Sequence, residues 1–131
     1  MPHPLETTIR DAYAAFGRGD LDGYLSACTD DFIFNVPGKS AISGVYRGKD
    51  GLYEIGRKAM ELTAGTFQED VDDVLANDRH GVVLTRHRFT RAAQPKDYWT
   101  VHLYRIRDGK LAECWEHPRD QAVFEDAWGP R

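Results

Sequence analysis

The chain has 131 residues, 41% of them hydrophobic and 29% charged, with a formal net charge of −4. That length fits a single domain over residues 1–131 with a core of its own, and the composition is that of a globular protein. The negative balance argues against a nucleic-acid partner, which needs clustered basic surface, and no apolar stretch approaches bilayer-spanning length.

In chain order, the opening Met-Pro-His-Pro-Leu-Glu lacks a basic region followed by an apolar run, so no secretory signal is expected. A cytoplasmic location with reduced thiols at Cys28 and Cys114 is the corresponding expectation. Leu5, Ile9, Ala12, Tyr13 and Phe16 share one helical face, and Gly17 follows where a left-handed cap would sit. Asp20 is placed to cap a short helix carrying Leu21, Tyr24, Leu25 and Cys28. Residues 31–36 read as a strand closed by Pro37-Gly38, and a loop punctuated by Gly44 and Gly48 follows. Leu52, Ile55, Ala59 and Leu62 then mark a third helix ending near Gly65.

From Thr66 onward the period changes to two. The pattern predicts strands over about 66–76, 81–92, 97–107 and 110–117, with a turn at Asn77–His80. Asp108-Gly109 suits a type I′ hairpin, and Ala92 to Lys96, with its proline, reads as a longer connection. A short helix with Val123, Phe124 and Trp128 ends the chain. Helices first and a meander of antiparallel strands after them is an α+β order, with helices on one sheet face.

Several segments carry a family resemblance. Gly44-Val45-Tyr46-Arg47-Gly48-Lys49-Asp50, after Val36-Pro37-Gly38, looks like the G-x-Y-x-G-x-D loop of SnoaL-like proteins. Ala15 to Asp20, Asp30-Asp31-Phe32, and His102 through Glu116 are similar to the same family, so the likeness spans nearly the whole chain. This is the polyketide-cyclase-related branch of the ketosteroid-isomerase-like, or NTF2-like, superfamily. The resemblance implies a cone-shaped curved antiparallel sheet wrapped around helices, the cystatin-like α+β barrel, enclosing a pocket for a small apolar molecule. The superfamily holds isomerases, cyclases, dehydratases and members without catalysis, and shared fold does not choose among them.

Strand parity then sorts the candidates. Tyr98, Thr100, His102, Tyr104 and Ile106 share one face, and Ala112, Cys114 and Glu116 share a face of the next strand. In the cyclases that the chain resembles, a histidine and an acid fourteen positions apart line the cavity; here these are His102 and Glu116. The acid is the general base there and is usually aspartate, one methylene shorter. Independently of family, abstracting a proton beside a carbonyl needs a carboxylate lifted toward neutrality by poor solvation, with donors aimed at the developing enolate. Glu116 facing His102 and Tyr104 supplies such a set. Against it stands a structural reading of each: Glu116 as a rim carboxylate, His102 and His87 as satisfied interior histidines.

His87 shares its strand face with Val83, Thr85 and Phe89, and that face is assigned to the pocket because Phe89 wants burial. Tyr13, Phe16, Phe32, Phe34, Tyr46 and Tyr53 are candidates for the pocket wall, each also readable as plain core. Asp120 either reaches the pocket mouth or caps the last helix. The histidines show no His-x-His or His-x-x-x-His spacing, so no metal or other cofactor is expected. Glu69, Asp70, Asp72 and Asp73 read as a solvated strand end rather than a calcium loop. No Gly-Lys-Ser/Thr follows the Gly44 loop, neither cysteine sits in a redox pair, and no nucleophilic serine motif occurs.

Val82, Leu84, Trp99, Val101, Leu103, Leu111 and Trp115 fall on the opposite face among arginines, too apolar for a sheet face left in water. A homodimer through the outer sheet face is expected, as in families the chain resembles; the alternative is that the C-terminal helix covers that face. Two functions remain open. One is a cofactor-independent isomerase, cyclase or dehydratase acting on a small apolar carbonyl compound; the other is a non-catalytic pocket or dimeric interaction domain.

Overall fold

The computed structural model describes residues 2–131, leaving Met1 outside the described residues. Helix α1 (Pro4–Gly17) is opened by a capping box in which His3 accepts from Leu5 N–H while Glu6 takes the His3 N–H. The left-handed residue after it is Gly19 (φ 78°), not Gly17, because the helix winds on through an Arg18 cap. Asp20 accepts from Gly23 N–H and starts α2 (Leu21–Leu25). Strand β1 (Cys28–Val36) and β2 (Gly44–Arg47) precede α3 (Gly48–Leu62).

Long strands follow: β3 (Gln68–Ala76), β4 (His80–Arg91), β5 (Gln94–Arg107) and β6 (Lys110–Pro118), with α4 (Gln121–Trp128) last. The six-stranded sheet runs β2-β1-β6-β5-β4-β3. It is curved and unclosed, and with four helices it makes a mixed α+β fold. Neighbouring strands are antiparallel except β1 and β6, which are parallel because the chain crosses from one end of the meander to the other.

Three local expectations are corrected. The glycine loop contains β2, paired with β1 through Phe34↔Tyr46. The connection from β4 to β5 is not long: Arg91 pairs with Gln94, and Ala92 and Ala93 both take positive φ. That is the backbone a tight primed turn demands, here without the glycine that would announce it. Leu111 lies inside the sheet, not outside, since a bulge between Arg105 and Ile106 leaves Ala112 as the extra residue and turns Leu111 onto the Ile106 side.

Packing follows the parity. Val83, Thr85, His87 and Phe89 from β4, and Tyr98, Thr100, His102, Tyr104 and Ile106 from β5, are all buried on the concave face. Ile9, Ala12 and Tyr13 of α1, and Leu52 and Ile55 of α3, cover that face. Helix α3 approaches β2 closely because Gly51 has no side chain: a Cβ there would sit 2.7 Å from the Tyr46 carbonyl carbon. Helix α4 closes one end, setting Trp128 against Phe89 and Phe67, and Phe124 against Tyr98. It therefore seals the interior rather than covering the outer sheet face.

Candidate functional site

A cavity of about 80 Å³ remains under the helices. Phe16, Phe34, Ile42, Leu52, Ile55 and Phe67 give it apolar walls, and its floor is polar. Five of the strand and helix residues singled out from sequence meet there: His102, Glu116, His87, Tyr104 and Tyr13. Phe16 and Phe34 line it as well.

The others lie elsewhere. Cys114 is buried beneath Tyr104, Phe32 stacks behind Tyr104, and Phe89 packs on Trp128. Tyr46 is buried on the far side of α3 and gives its hydroxyl proton to the Ile42 carbonyl at 2.7 Å. Tyr53 is exposed on α3 and donates to Asp22 at 2.5 Å. Asp120 is spent as the α4 cap, accepting from Ala122 and Val123 N–H. Both cysteines are free; burial pushes the Cys28 thiol up to about 12 and that of Cys114 well above its usual range.

The sequence reading missed Glu69. It reads as solvated, yet its side chain is only 8% exposed and sits opposite His87 across the β3–β4 ladder. Its parity with Phe67 and Val71 is the available signal; a bulge between Val71 and Asp73 breaks the pattern of the strand and hides it. Tyr24, Tyr98 and Trp128 also join the floor.

Hydrogen-bond direction can be followed through this floor. Trp128 Nε1–H donates to the Tyr98 hydroxyl at 2.7 Å, and that hydroxyl lies 2.8 Å from His87 Nδ1. His87 Nε2 is 2.6 Å from Glu69 Oε2, and a carboxylate only accepts, so Nε2 carries a proton. With Nδ1 against the Tyr98 hydroxyl, every member of Trp128–Tyr98–His87–Glu69 has a hydrogen-bond partner.

A second chain runs Tyr24–Tyr104–Tyr13–His102, with oxygen separations of 2.6 and 2.5 Å and Tyr13 2.6 Å from His102 Nδ1. The far nitrogen, His102 Nε2, is buried with no hydrogen-bond partner among the described residues. It faces Glu116 Oε2 at 3.7 Å, too long for a hydrogen bond and short enough for strong attraction between charges. Thr100 donates to the same carboxylate oxygen at 3.1 Å.

Burial lowers the basicity of His102, but the neighbouring Glu116 and then Glu69 charges outweigh it, and the pKa is raised. Burial likewise pushes Glu116 up; His102, His87 and Thr100 prevail and hold it below the usual carboxylate value. Glu69 is lowered for the same reason, with His87 the main opponent of burial. The carboxylate lifted toward neutrality that the sequence suggests is thus corrected: two imidazoles beside it reverse the sign. All four floor tyrosines are raised, by burial first, and remain phenols.

The strands also assemble what no short motif could, a Glu69, His87 and His102 set whose ligand atoms lie within 4.8 Å of one another. Two nitrogen or oxygen ligands about 2.0–2.1 Å from one tetrahedral zinc stand roughly 3.3 Å apart. The 2.6 Å Glu69–His87 contact is instead a hydrogen bond, so protons hold this cluster as it stands.

A family model described as a SnoaL-like domain matches residues 9–114. An uncharacterized protein of Mycobacterium tuberculosis (strain ATCC 25618 / H37Rv) is 31% identical over 121 residues, 92% of each chain. Among solved structures, a protein of unknown function with a cystatin-like fold from Xanthomonas campestris superposes with a TM-score of 0.84 at 26% identity, covering 98% and 99% of the two chains. Bal32a, from a soil-derived mobile gene cassette, gives 0.89 at 23% identity over 95% and 96%. TerC, co-crystallized with polyporic acid, gives 0.83 at 22% over 95% and 98%. At those identities the last two speak to fold alone. By the match over most of its length, the chain belongs to the SnoaL-like domain family.

Proposed function

We propose that the protein is an enzyme of proton transfer on a small, largely apolar carbonyl compound, as isomerases, cyclases and dehydratases require. The observation that carries this is the 3.7 Å gap between His102 Nε2 and Glu116 Oε2 at the floor of an apolar cavity. A carbonyl oxygen placed near His102 accepts its unpartnered N–H. The adjacent C–H then lies toward Glu116, which takes the proton while the C–H electrons form the enolate double bond. Negative charge arrives on the oxygen, where the His102 N–H donates. Returning the proton to another carbon completes an isomerisation; attack of the enolate carbon on a second carbonyl carbon closes a ring, the second C=O π electrons passing to its oxygen, which takes the proton back from Glu116.

One observation favours a second reading, in which the pocket binds without turnover. Glu116 is held below the usual carboxylate value, and a weakened base is less suited to taking a proton from carbon. Deuterium exchange separates the two. Methyl ethyl ketone in deuterated buffer should exchange its α-protons faster with the protein than without it. Glu116→Gln should abolish that acceleration, a loss of roughly a hundredfold or more, while ketone-induced shifts in the NMR spectrum persist. No acceleration by the native protein, with the ketone bound, establishes the non-catalytic reading.

The same proposal includes a second copy of the chain on the outer sheet face. Val82, Leu84, Val101, Leu103 and Trp115 are half-buried there, Trp99 is 37% exposed, and among the described residues no helix or strand lies over them. Arg86 and Arg119 flank the Trp99 ring, giving the apolar patch a charged rim. Among the described residues no helix is long and apolar enough to cross a membrane.

A further inference from the structure

The chamber at His102 and Glu116, about 80 Å³, is smaller than the roughly 150 Å³ apolar hole that admits benzene. A ligand of more than a few heavy atoms must therefore extend out of it. Phe16, Gly56, Ala59, Phe67 and Glu69 line the chamber and also an outer groove of about 900 Å³. The groove runs between the end of α1, the start of α2, α3 and the start of β3. Phe16 and Phe67, edge to face at 6.2 Å, form one side of the throat. Gly56 forms the other, where an added Cβ would already stand 3.3 Å from Leu21 Cδ1.

Beyond the throat the groove is apolar and unoccupied by the chain. Met60 is 57% exposed and Tyr53 39%. At its rim stand two cations. Arg18 is exposed and makes no ion pair among the described residues, and Arg57, also exposed, has only Glu61 at 3.8 Å. The rim acids are engaged elsewhere: Asp70 accepts from Arg88 Nε at 2.6 Å, and Glu69 turns inward to His87.

We infer that this groove is the second half of the binding site, taking the apolar tail of an elongated ketone whose far end carries an anionic group. The carbonyl end enters the chamber, the chain passes between Gly56 and the two phenyl rings, and the terminal charge meets Arg18 and Arg57. This rests on the reading of the chamber as a carbonyl site, and the two fail separately.

Three probes decide it: methyl ethyl ketone, methyl heptyl ketone, and the heptyl compound with a terminal carboxylate, each titrated into the isotope-labelled protein by NMR. The short ketone should shift amides around Tyr98–Tyr104 only. The heptyl ketone should bind roughly a hundredfold tighter and shift Gly56, Met60 and Phe67 as well, since most of its added methylenes leave water. The carboxylate should add about threefold at low salt, and the gain should vanish at high salt and in an Arg18→Gln, Arg57→Gln double variant. Met60→Ala, at an exposed helical position, should weaken the long ketones severalfold and leave the short one unchanged. If the short ketone binds and the longer one binds no tighter, the groove proposal is overturned. If the long ketones shift groove residues and leave Tyr98–Tyr104 untouched, the groove stands and the chamber reading falls.

Discussion

His102 and Glu116 face each other directly across the β5–β6 ladder, yet their nearest polar atoms stop 3.7 Å apart. The Asp108-Gly109 turn, with positive φ at both residues, joins the strands, and the bulge at Ala112 shifts their register by one so that Glu116 rather than Trp115 stands opposite His102. The gap is left because Tyr13 and Thr100 each hold one partner from the other side. A ligand group can approach both from the cavity side without either first losing a hydrogen bond.

That arrangement makes carboxylate position testable without removing its charge. Glu116→Asp withdraws the oxygens by one methylene. Proton exchange in the ketone should fall tenfold to about a hundredfold, as small misplacements of a reacting group do. Stability should fall much less than in Glu116→Gln, because a counter-charge to His102 remains. Equal exchange rates in the Glu116→Asp variant and the native protein would mean that the carboxylate is not the base.

The ionised floor also sets a pH optimum for stability. Glu69 and Glu116 are depressed, so their contribution is complete above about pH 4.3, their unfolded value, and is lost as pH falls through the lower folded values. His102 is raised, so its contribution is complete below about pH 6.5 and is lost as pH climbs through the higher folded value. It is faced by Glu116, Glu69, His87 and Tyr13, and the two carboxylates outweigh its burial. Urea midpoints should therefore peak at roughly pH 5–6 and decline on both sides. His102→Gln should flatten the alkaline decline while the acid limb stays; an unchanged alkaline limb would show that another group sets it.

Gly51 tests the packing that sets α3 over β2. Glycine to alanine within a helix ordinarily gains up to about 1 kcal/mol. Here the new Cβ would meet Tyr46 backbone at 2.7 and 3.1 Å, atoms that cannot swing aside. Gly51→Ala should lose roughly 1–3 kcal/mol in urea unfolding. A gain would show that α3 can shift outward freely.

For the second copy, Leu103→Glu places a carboxylate in the middle of the outer patch, between Val82 and Trp115. Sedimentation should show a native dimer at micromolar concentration and a dissociation constant raised at least about tenfold in the variant. A native monomer at those concentrations would remove the dimer, leaving the cavity chemistry unaffected.

Much of the fold is legible in residues 66–117, where alternation assigns Thr85, His87, Thr100, His102 and Tyr104 to one face, all buried there. The misplacements occur where the period slips. Leu111 changes side at the bulge beside Ala112, and Glu69 is masked by the bulge after Val71. A slip of one residue reverses a strand's faces, and bulges carry no fixed sequence mark. The Ala92-Ala93 turn was unreadable for a similar reason: its positive φ values are imposed by the paired strands, not by glycine.

By itself the sequence determined the helices and the meander, because period and turn chemistry are local properties of the chain; the family resemblance implied that His102 and Glu116 go together, and the bulge at Ala112 brings them opposite each other. Only the tertiary structure decided which groups share the floor and what charge they carry. Glu69 reaches His87 across eighteen positions and Tyr13 reaches His102 across eighty-nine. A carboxylate's proton affinity depends on the balance between lost water and nearby imidazoles, which exists only once those separate segments have met.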